Sequence, residues 1–384
     1  MFSSHKSSEL ILILDVQSSI VRGTLVHIQK ETLPTVLYTH NVSIPHKPRA
    51  QSGYLIKMAL KAIGETITET SKHVHIRSSA STEGIPNKIS AVHYVLSSPW
   101  TVSQAKTLKL SFKEDTHVSR AYIMGMIWEE RSKFGNAKTD DIRVVEEKVF
   151  DVRLNGYSVA SWESKHTREL EVSFVVSVAG GRMIDRFVEV CDHIVRRDAV
   201  QFHSSLFLQH VGIEKVLPNY SNYALLHIHG ELTDIAIIHS HSCTFFGSYP
   251  LGIHGLIRTI AHKTKTDEQS AESTLTMSEQ GHLDRVHAKK ELAVIEDMNQ
   301  SWVGEFRKLL KTNAVSDTLP KHIIISARSH ESFFMKCLKT AYPENSLELF
   351  TIESIIQHVK FDGTHTEQLR LTGLYVVAIH SLEK

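Results

Sequence analysis

Two segments of this chain repeat one pattern of strand, polar turn and strand, and the second has a histidine where the first has an acid. The first, Leu10 to Ile28, is apolar up to Asp15 and then reads Val16-Gln17-Ser18-Ser19-Ile20-Val21-Arg22. The second, Tyr223 to His239, is apolar up to His227 and then reads Ile228-His229-Gly230-Glu231-Leu232-Thr233-Asp234. Aligned, Asp15 falls on His227 and Gln17 on His229, 212 residues apart. Alternating apolar runs on either side of a short polar turn read as β-hairpins. A protein built from two such halves can clamp a nucleotide phosphate between its turns. Turn N–H groups and hydroxyls would meet the oxygens, and carboxylates would hold the waters of a Mg²⁺ ion. Ser18 and Ser19 are candidate hydroxyl donors, or else turn hydroxyls that satisfy their own backbone. Asp15 is a candidate for holding a hydrated cation, or else an acid that caps its turn. Arg22 could face an anion, but its strand position is expected on the solvent side.

Other chemistries find less support. Histidine is abundant at 25 residues, including the pairs His73/His75, His227/His229 and His239/His241. On a strand, residues i and i+2 share a face, so each pair could chelate zinc. No third ligand stands at ligand spacing, and no metal site is expected. The three cysteines, Cys191, Cys243 and Cys337, form no CxxC pair and read as reduced thiols. No GxSxG-type nucleophile turn supports a Ser/His/Asp hydrolase.

Composition narrows the class further. The 384 residues suffice for more than one domain, and 41% hydrophobic with 22% charged residues is an ordinary globular balance. With 43 basic and 42 acidic residues, the net charge of +1 gives no general attraction to nucleic acid or anionic lipid. The apolar run Leu10 to Leu14 is too short for a signal-peptide core, and no stretch approaches the ~20 apolar residues of a membrane span.

The elements that must position the two turns are legible in outline. A third strand is expected near Val36 to His40, a helix over Ala50 to Glu69, a loop over Ser78 to Asn87 and a strand over Ile89 to Leu96. Beyond Pro99 the texture changes. A strand is expected at Lys109 to Phe112, a helix at Thr116 to Phe134, a loop at Gly135 to Asp141, strands at Ile142 to Leu154 and Tyr157 to Trp162 around the turn Asn155-Gly156, and a strand at Glu169 to Val178. Helices follow at Gly181 to Asp192 and Ala199 to His210. After the second hairpin come a strand at Thr244 to Pro250 and helices at Gly255 to Lys263, Asp267 to Leu275 and Lys289 to Lys311. A strand at His322 to Ser326, a helix at Ser332 to Ala341 and a final strand at Leu374 to His380 complete an α/β chain with internal duplication.

In this order the motifs resemble those of the actin-like ATPase superfamily, within it the group of FtsA, a cell-division actin homologue, and PilM, a type IV pilus assembly protein. That group's first phosphate turn reads Asp-Ile-Gly-Ser-Ser-x-x-Lys, matched here by Asp15 to Arg22. Its second reads Asp-Ile-Gly-x-x-x-Thr-Asp, matched by His227 to Asp234 and including Gly230 and Thr233. A Pro-Leu-Gly-Gly segment and an Ala-Glu pair correspond to Pro250-Leu251-Gly252-Ile253 and Ala271-Glu272. Leu371-Thr372-Gly373-Leu374 resembles the start of the family's last helix. The resemblance implies an actin-like fold of two duplicated ribonuclease H-like halves with a small inserted α+β subdomain. Residues 1–98, 180–220 and 345–384 would form the first half, 99–179 the inserted FtsA/PilM-type subdomain and 221–344 the second half.

The departures from that pattern bear on function. Gln17 and His229 occupy the glycine positions at which backbone must approach phosphate. His227 replaces one of two acids, and an imidazole is a poor partner for hydrated Mg²⁺. Where the family ends a strand with Gly-Gly beneath the adenine, this chain has Ile325-Ser326 and then Ala327-Arg328. Sugar kinases share this fold but need a catalytic acid and both glycines, so that reading is set aside. The expectation is a degenerate nucleotide cleft with no catalytic residues and no cofactor. The alternative is an ATPase that binds Mg-ATP with altered phosphate loops. The resemblance then implies a cytoplasmic scaffold bound to the cytoplasmic tail of a membrane protein, PilN-like, or to a cell-division partner, and capable of self-association. FtsA ends in an amphipathic membrane-targeting helix. This chain reaches Glu383-Lys384 soon after its last expected strand, which favours the PilM-like role.

Overall fold

A computed structural model describes residues 8–45, 52–79, 84–132, 141–159, 161–284, 288–313, 319–349, 351–363 and 369–382. The chain opens with β1 (Ser8–Val16), β2 (Ile20–Gln29), β3 (Thr35–Ser43), α1 (Ser52–Ser79) and β4 (Ala91–Leu96). Next come β5 (Thr101–Val118), α2 (Arg120–Ser132), β6 (Ile142–Leu154), β7 (Tyr157–Ser158) and β8 (Lys165–Gly180). They are followed by α3 (Gly181–Cys191), β9 (Val200–Ser204) and α4 (Ser205–Val216). The second repeat comprises β10 (Tyr223–Ile228), β11 (Thr233–His239), β12 (Ser242–Tyr249), α5 (Ile253–Thr264), α6 (Glu268–Glu279), α7 (Lys289–Thr312), β13 (His322–Ala327), α8 (Glu331–Ala341) and β14 (Ser346–Leu349). The chain closes with α9 (Ile352–Ile355), β15 (Lys360–Phe361) and α10 (Arg370–Leu382).

The duplication is plain in the strand order. One sheet runs β15-β3-β2-β1-β4-β9 and another β12-β11-β10-β13-β14. In both, a meander of three antiparallel strands is extended by two parallel ones, β4 and β9 beside β1, and β13 and β14 beside β10.

Each opening strand is buried on both faces, which explains its near-continuous apolar run. Leu10, Leu12, Leu14 and Val16 turn towards α1 and α3. Ile11 and Ile13 turn the other way, into a core shared with α4, α10 and Tyr223 and Leu225 of β10. Strand alternation therefore carries Asp15 and His227 onto the faces that look towards one another. Ala224, Leu226 and Ile228 pack instead with α5, α7 and α8.

A four-stranded sheet, β5-β8-β6-β7, forms from the segment beyond Pro99. Ile123 and Ile127 of α2 cover one face, on Val152, Leu170, Val172 and Phe174. Phe150 packs against Phe207 and His210 of α4. The turn Asn155-Gly156 has φ of +50° and +84°, the doubly positive geometry that a two-residue hairpin requires.

Several sequence expectations are corrected. Leu374 to His380 lies in helix α10, not in a strand. Residues Arg370 to Ile379 are all buried, so the helix shows no polar face and its apolar run could not be told from a strand. Residues 199–210 are not one helix: β9 precedes α4, which begins at Ser205. The strand expected at Lys109 to Phe112 extends from Thr101 to Val118, so Thr116 to Val118 are strand, not helix. The returning strand at Tyr157 is two residues long. The loop expected over residues 135–141 lies outside the described residues except for Asp141. No helix among the described residues is long and apolar enough to cross a membrane.

Candidate functional site

The two turns meet face to face between the halves. Gln17 N–H closes the first on Ile20 O at 2.9 Å, and His229 N–H closes the second on Leu232 O at 2.8 Å. Glu231 N–H of the second donates to Ser18 Oγ of the first at 3.3 Å. At Gly230 the approach is so close that an added Cβ would lie 2.5 Å from Ser19 Cβ. Glycine there serves contact between turns.

The second turn is also engaged from behind. Ile253 N–H and His254 N–H, at the start of α5, donate to His229 O and Gly230 O at 2.9 and 2.7 Å. These are the N–H groups that a helix leaves for an anion, and here carbonyls of the turn occupy them. A Cβ at Gly252 would lie 2.7 Å from both Gly230 O and Leu232 N. Thr233 Oγ1 donates to Leu251 O at 2.8 Å. Arg258 reaches Glu231 through two N–H groups, at 3.0 and 2.5 Å.

The side chains at the two glycine positions are buried and committed. Gln17 Nε2 donates to Asp15 Oδ2 at 2.9 Å. His229 Nε2 donates to Asp234 Oδ2 at 2.7 Å, and the same carboxylate accepts from Ser98 N–H at 3.2 Å. Asp234 thereby joins the second hairpin to the end of β4. Burial pushes the Asp15 carboxyl up, against the opposing effects of the Arg22 charge, the Gln17 hydrogen bond and His229. His227 accepts from Gln209 Nε2 at 2.8 Å and stands 4.0 Å, ring to ring, from His229. Burial foremost, then His229 and Arg22, holds it well below the ordinary histidine range, as a neutral imidazole.

Arg22 is not on the solvent side. It is paired in register with Asp15, on the buried inner face of β2. Its Nε donates to Asn41 Oδ1 at 2.9 Å and its Nη1 to Thr372 Oγ1 at 3.0 Å. Ala327 N–H donates to Glu331 Oε1 at 3.2 Å, and Ala327 O accepts from Arg370 Nη2 at 3.0 Å, with Arg370 ion-paired to Glu331. A cavity of about 90 Å³ remains here, lined among others by Gln17, Arg22, His227, Ala327 and Arg328. Pockets that take drug-sized ligands hold roughly 300–1,000 Å³.

Asp15, Gln17, Ser18, Ser19, Arg22, His227, His229, Gly230, Thr233 and Gly252 thus converge on the two turns, and Ala327 and Arg328 border the cavity beside them. Sequence reading missed Ser98, Glu331, Arg370 and Thr372, which arrive from distant segments. It also missed the pairing of His229 with Asp234. The other histidine pairs do not converge. His73 and His75 lie on α1, where residues two apart point to different sides, and His241 lies in the turn after β11. Among the described residues, no group of three or more His, Cys, Asp or Glu is placed to hold a metal ion.

A second candidate surface lies on the sheet of β5 to β8. Among the described residues, large hydrophobic side chains are exposed there at Val102, Tyr122, Met124, Trp128, Ile142, Val144 and Tyr157, with Trp128 59% and Tyr157 78% accessible. A groove of about 560 Å³ runs between α2 and β6, where Met124, Val149, Val159 and Trp162 alternate with the charged Arg120, Glu147, Lys148 and Glu163.

No family model matches the chain, and no curated protein matches it. Solved structures do. The chain is similar to one in the structure of the PilM-PilN type IV pilus biogenesis complex, at 13% identity over 96% of both chains, with a TM-score of 0.63. More distant are the ethanolamine utilization protein EutJ from Carboxydothermus hydrogenoformans (10% identity, 97% of this chain and 90% of that one, TM-score 0.45) and a protein with actin-like ATPase fold from Bacteroides thetaiotaomicron (9%, 98% of both, 0.40). At such identities the first likeness shows the fold, and the fold is actin-like.

Proposed function

We propose that this chain is an actin-like scaffold of the type IV pilus assembly kind, whose nucleotide cleft no longer takes Mg-ATP. In this reading it acts by holding an extended segment of a membrane protein's cytoplasmic tail. The observation that carries the reading is the contact between the two turns, Ser18 and Ser19 against Gly230 and Glu231. A phosphate clamped by such turns would need that space, and the N–H groups of α5 would need to be free of His229 O and Gly230 O. The donor set supports the same conclusion. A neutral imidazole at 227 is no substitute for a carboxylate that holds the waters of Mg²⁺.

The inserted sheet supports the binding half of the proposal. The groove between α2 and β6 combines Met124, Val149, Val159 and Trp162 with the charged Arg120, Glu147, Lys148 and Glu163, and a strand edge with such a groove beside it suits an extended peptide. The solved chain of similar fold is one partner in a complex of PilM with PilN, which is in keeping with a PilN-like partner here. A photo-crosslinking residue at Met124, in the full chain in its own host, is expected to form an adduct with a single-span membrane protein. The same residue at Ile76, exposed on α1, is expected to form none. Adducts with soluble metabolic enzymes alone, or equal adducts from both positions, would count against the proposal.

A further inference from the structure

The inserted sheet meets the first half along β6, and that seam gathers histidines and carboxylates. Glu146 Oε2 accepts from Ser204 N–H of β9 at 3.1 Å, and its Oε1 stands 3.5 Å from His203 Nδ1. Behind His203, on β4, His93 is fully buried, its Nδ1 3.1 Å from His203 Nε2 with the rings nearly parallel. Only one of those two facing nitrogens can carry a proton, so the bond survives one charged ring but not two. Further along β6, Phe150 covers the ring of His210 on α4, edge to face with centroids 5.4 Å apart. His210 Nδ1 is hydrogen-bonded to the Tyr223 hydroxyl of β10 at 2.8 Å. Glu214 of α4 lies 4.0 Å from His210 and pairs at 2.7 Å with His241, in the turn after β11. Cys243 of β12, on which Glu214 and Glu146 both bear, is held uncharged by burial.

Burial foremost, then the nearby His241, lowers His210 to about 4. Its contribution to stability is therefore present above the ordinary histidine value of about 6.5 and lost as pH falls towards about 4. Burial pushes the Glu146 carboxyl well up, against the hydrogen bond from Ser204 N–H. That group alone favours closure in acid, because it holds its proton more tightly when covered. Once protonated, it offers no charge to balance an imidazolium at position 203. We propose that this seam is a proton-controlled joint, in which charging of His93, His203 and His210 parts β6 from β9 and α4. Near neutral pH the joint is closed. β6 also walls the groove beside α2, so an opened joint moves one side of that groove. The joint stands whether or not the groove holds a peptide.

The test is hydrogen–deuterium exchange of the full chain at about pH 7.5 and about pH 5, on either side of the ordinary histidine value, with rates corrected for the intrinsic effect of pH on amide exchange. Opening at β6 and β9 is expected to rise roughly tenfold or more in acid, the factor that one unit of histidine shift gives, while β13 and α7 change little. His203→Gln and His210→Gln, each removing one titrating ring, are expected to reduce the rise. His193→Gln, at an exposed ring outside the seam, is expected to leave it unchanged. The wild-type profile decides whether the joint opens, and the variants decide which rings open it. No rise at β6, an equal rise throughout the chain, or a rise undiminished in both seam variants overturns the joint.

Discussion

Replacing His229 by glycine is expected to destabilise the protein by about 3–5 kcal/mol. The Asp234 carboxylate is buried, and its shortest hydrogen bond, at 2.7 Å, comes from His229 Nε2. Without the imidazole it keeps the Ser98 N–H at 3.2 Å, in surroundings that disfavour a charge lacking partners. The vacated volume adds a cavity cost. Asp234→Asn introduced into the His229→Gly background is expected to recover part of the loss, since it removes the stranded charge. Urea denaturation of the single and double variants measures the coupling. A loss under about 1 kcal/mol in His229→Gly would mean that Asp234 does not depend on the imidazole.

Trp302→Ala is expected to cost a similar amount, about 3–5 kcal/mol, and to loosen the second turn with it. Trp302 is fully buried on α7, with ring centroids 5.0 Å from Phe334 and 6.0 Å from Tyr249. Its Nε1–H donates to Thr233 Oγ1 at 3.3 Å, and Thr233 in turn donates to Leu251 O. Truncation therefore opens a large apolar cavity and removes a donor behind the turn. Trp302→Phe, which fills much of the space, is expected to lose less. Trp128→Ala, at an exposed position on α2, is expected to stay within about 0.5 kcal/mol of wild type. Equal losses at Trp302 and Trp128 would contradict the packing described for the second half.

What the sequence revealed and what it hid divide along physical lines. Both hairpins were readable because apolar alternation and a polar turn are local signals, and Asp15, His227 and both glycine positions came with them. Helix α10 was hidden because it is wedged between the halves and apolar all round, which erases the 3.6-residue period. Strand β9 is five residues and half-buried, too short a pattern to separate from the helix that follows. Arg22 was expected towards solvent because a charged residue on a strand usually is. Its burial follows from register, since Asp15 lies opposite it on the inner face and Thr372 comes from 350 residues away. The pairing of His229 with Asp234 had a faint local signal. A tight turn brings residues five apart within reach across the two strands. Glu331, Arg370 and Ser98 had none, because only the tertiary fold brings them to the cleft.

The closed cleft is tested most directly by isothermal titration of the full chain with Mg-ATP. With the turns in contact, no saturable heat is expected up to about 1 mM nucleotide, a bound on affinity near 4 kcal/mol. A saturable isotherm with one site per chain in that range would contradict it, and would mean that the turns part to admit a phosphate after all.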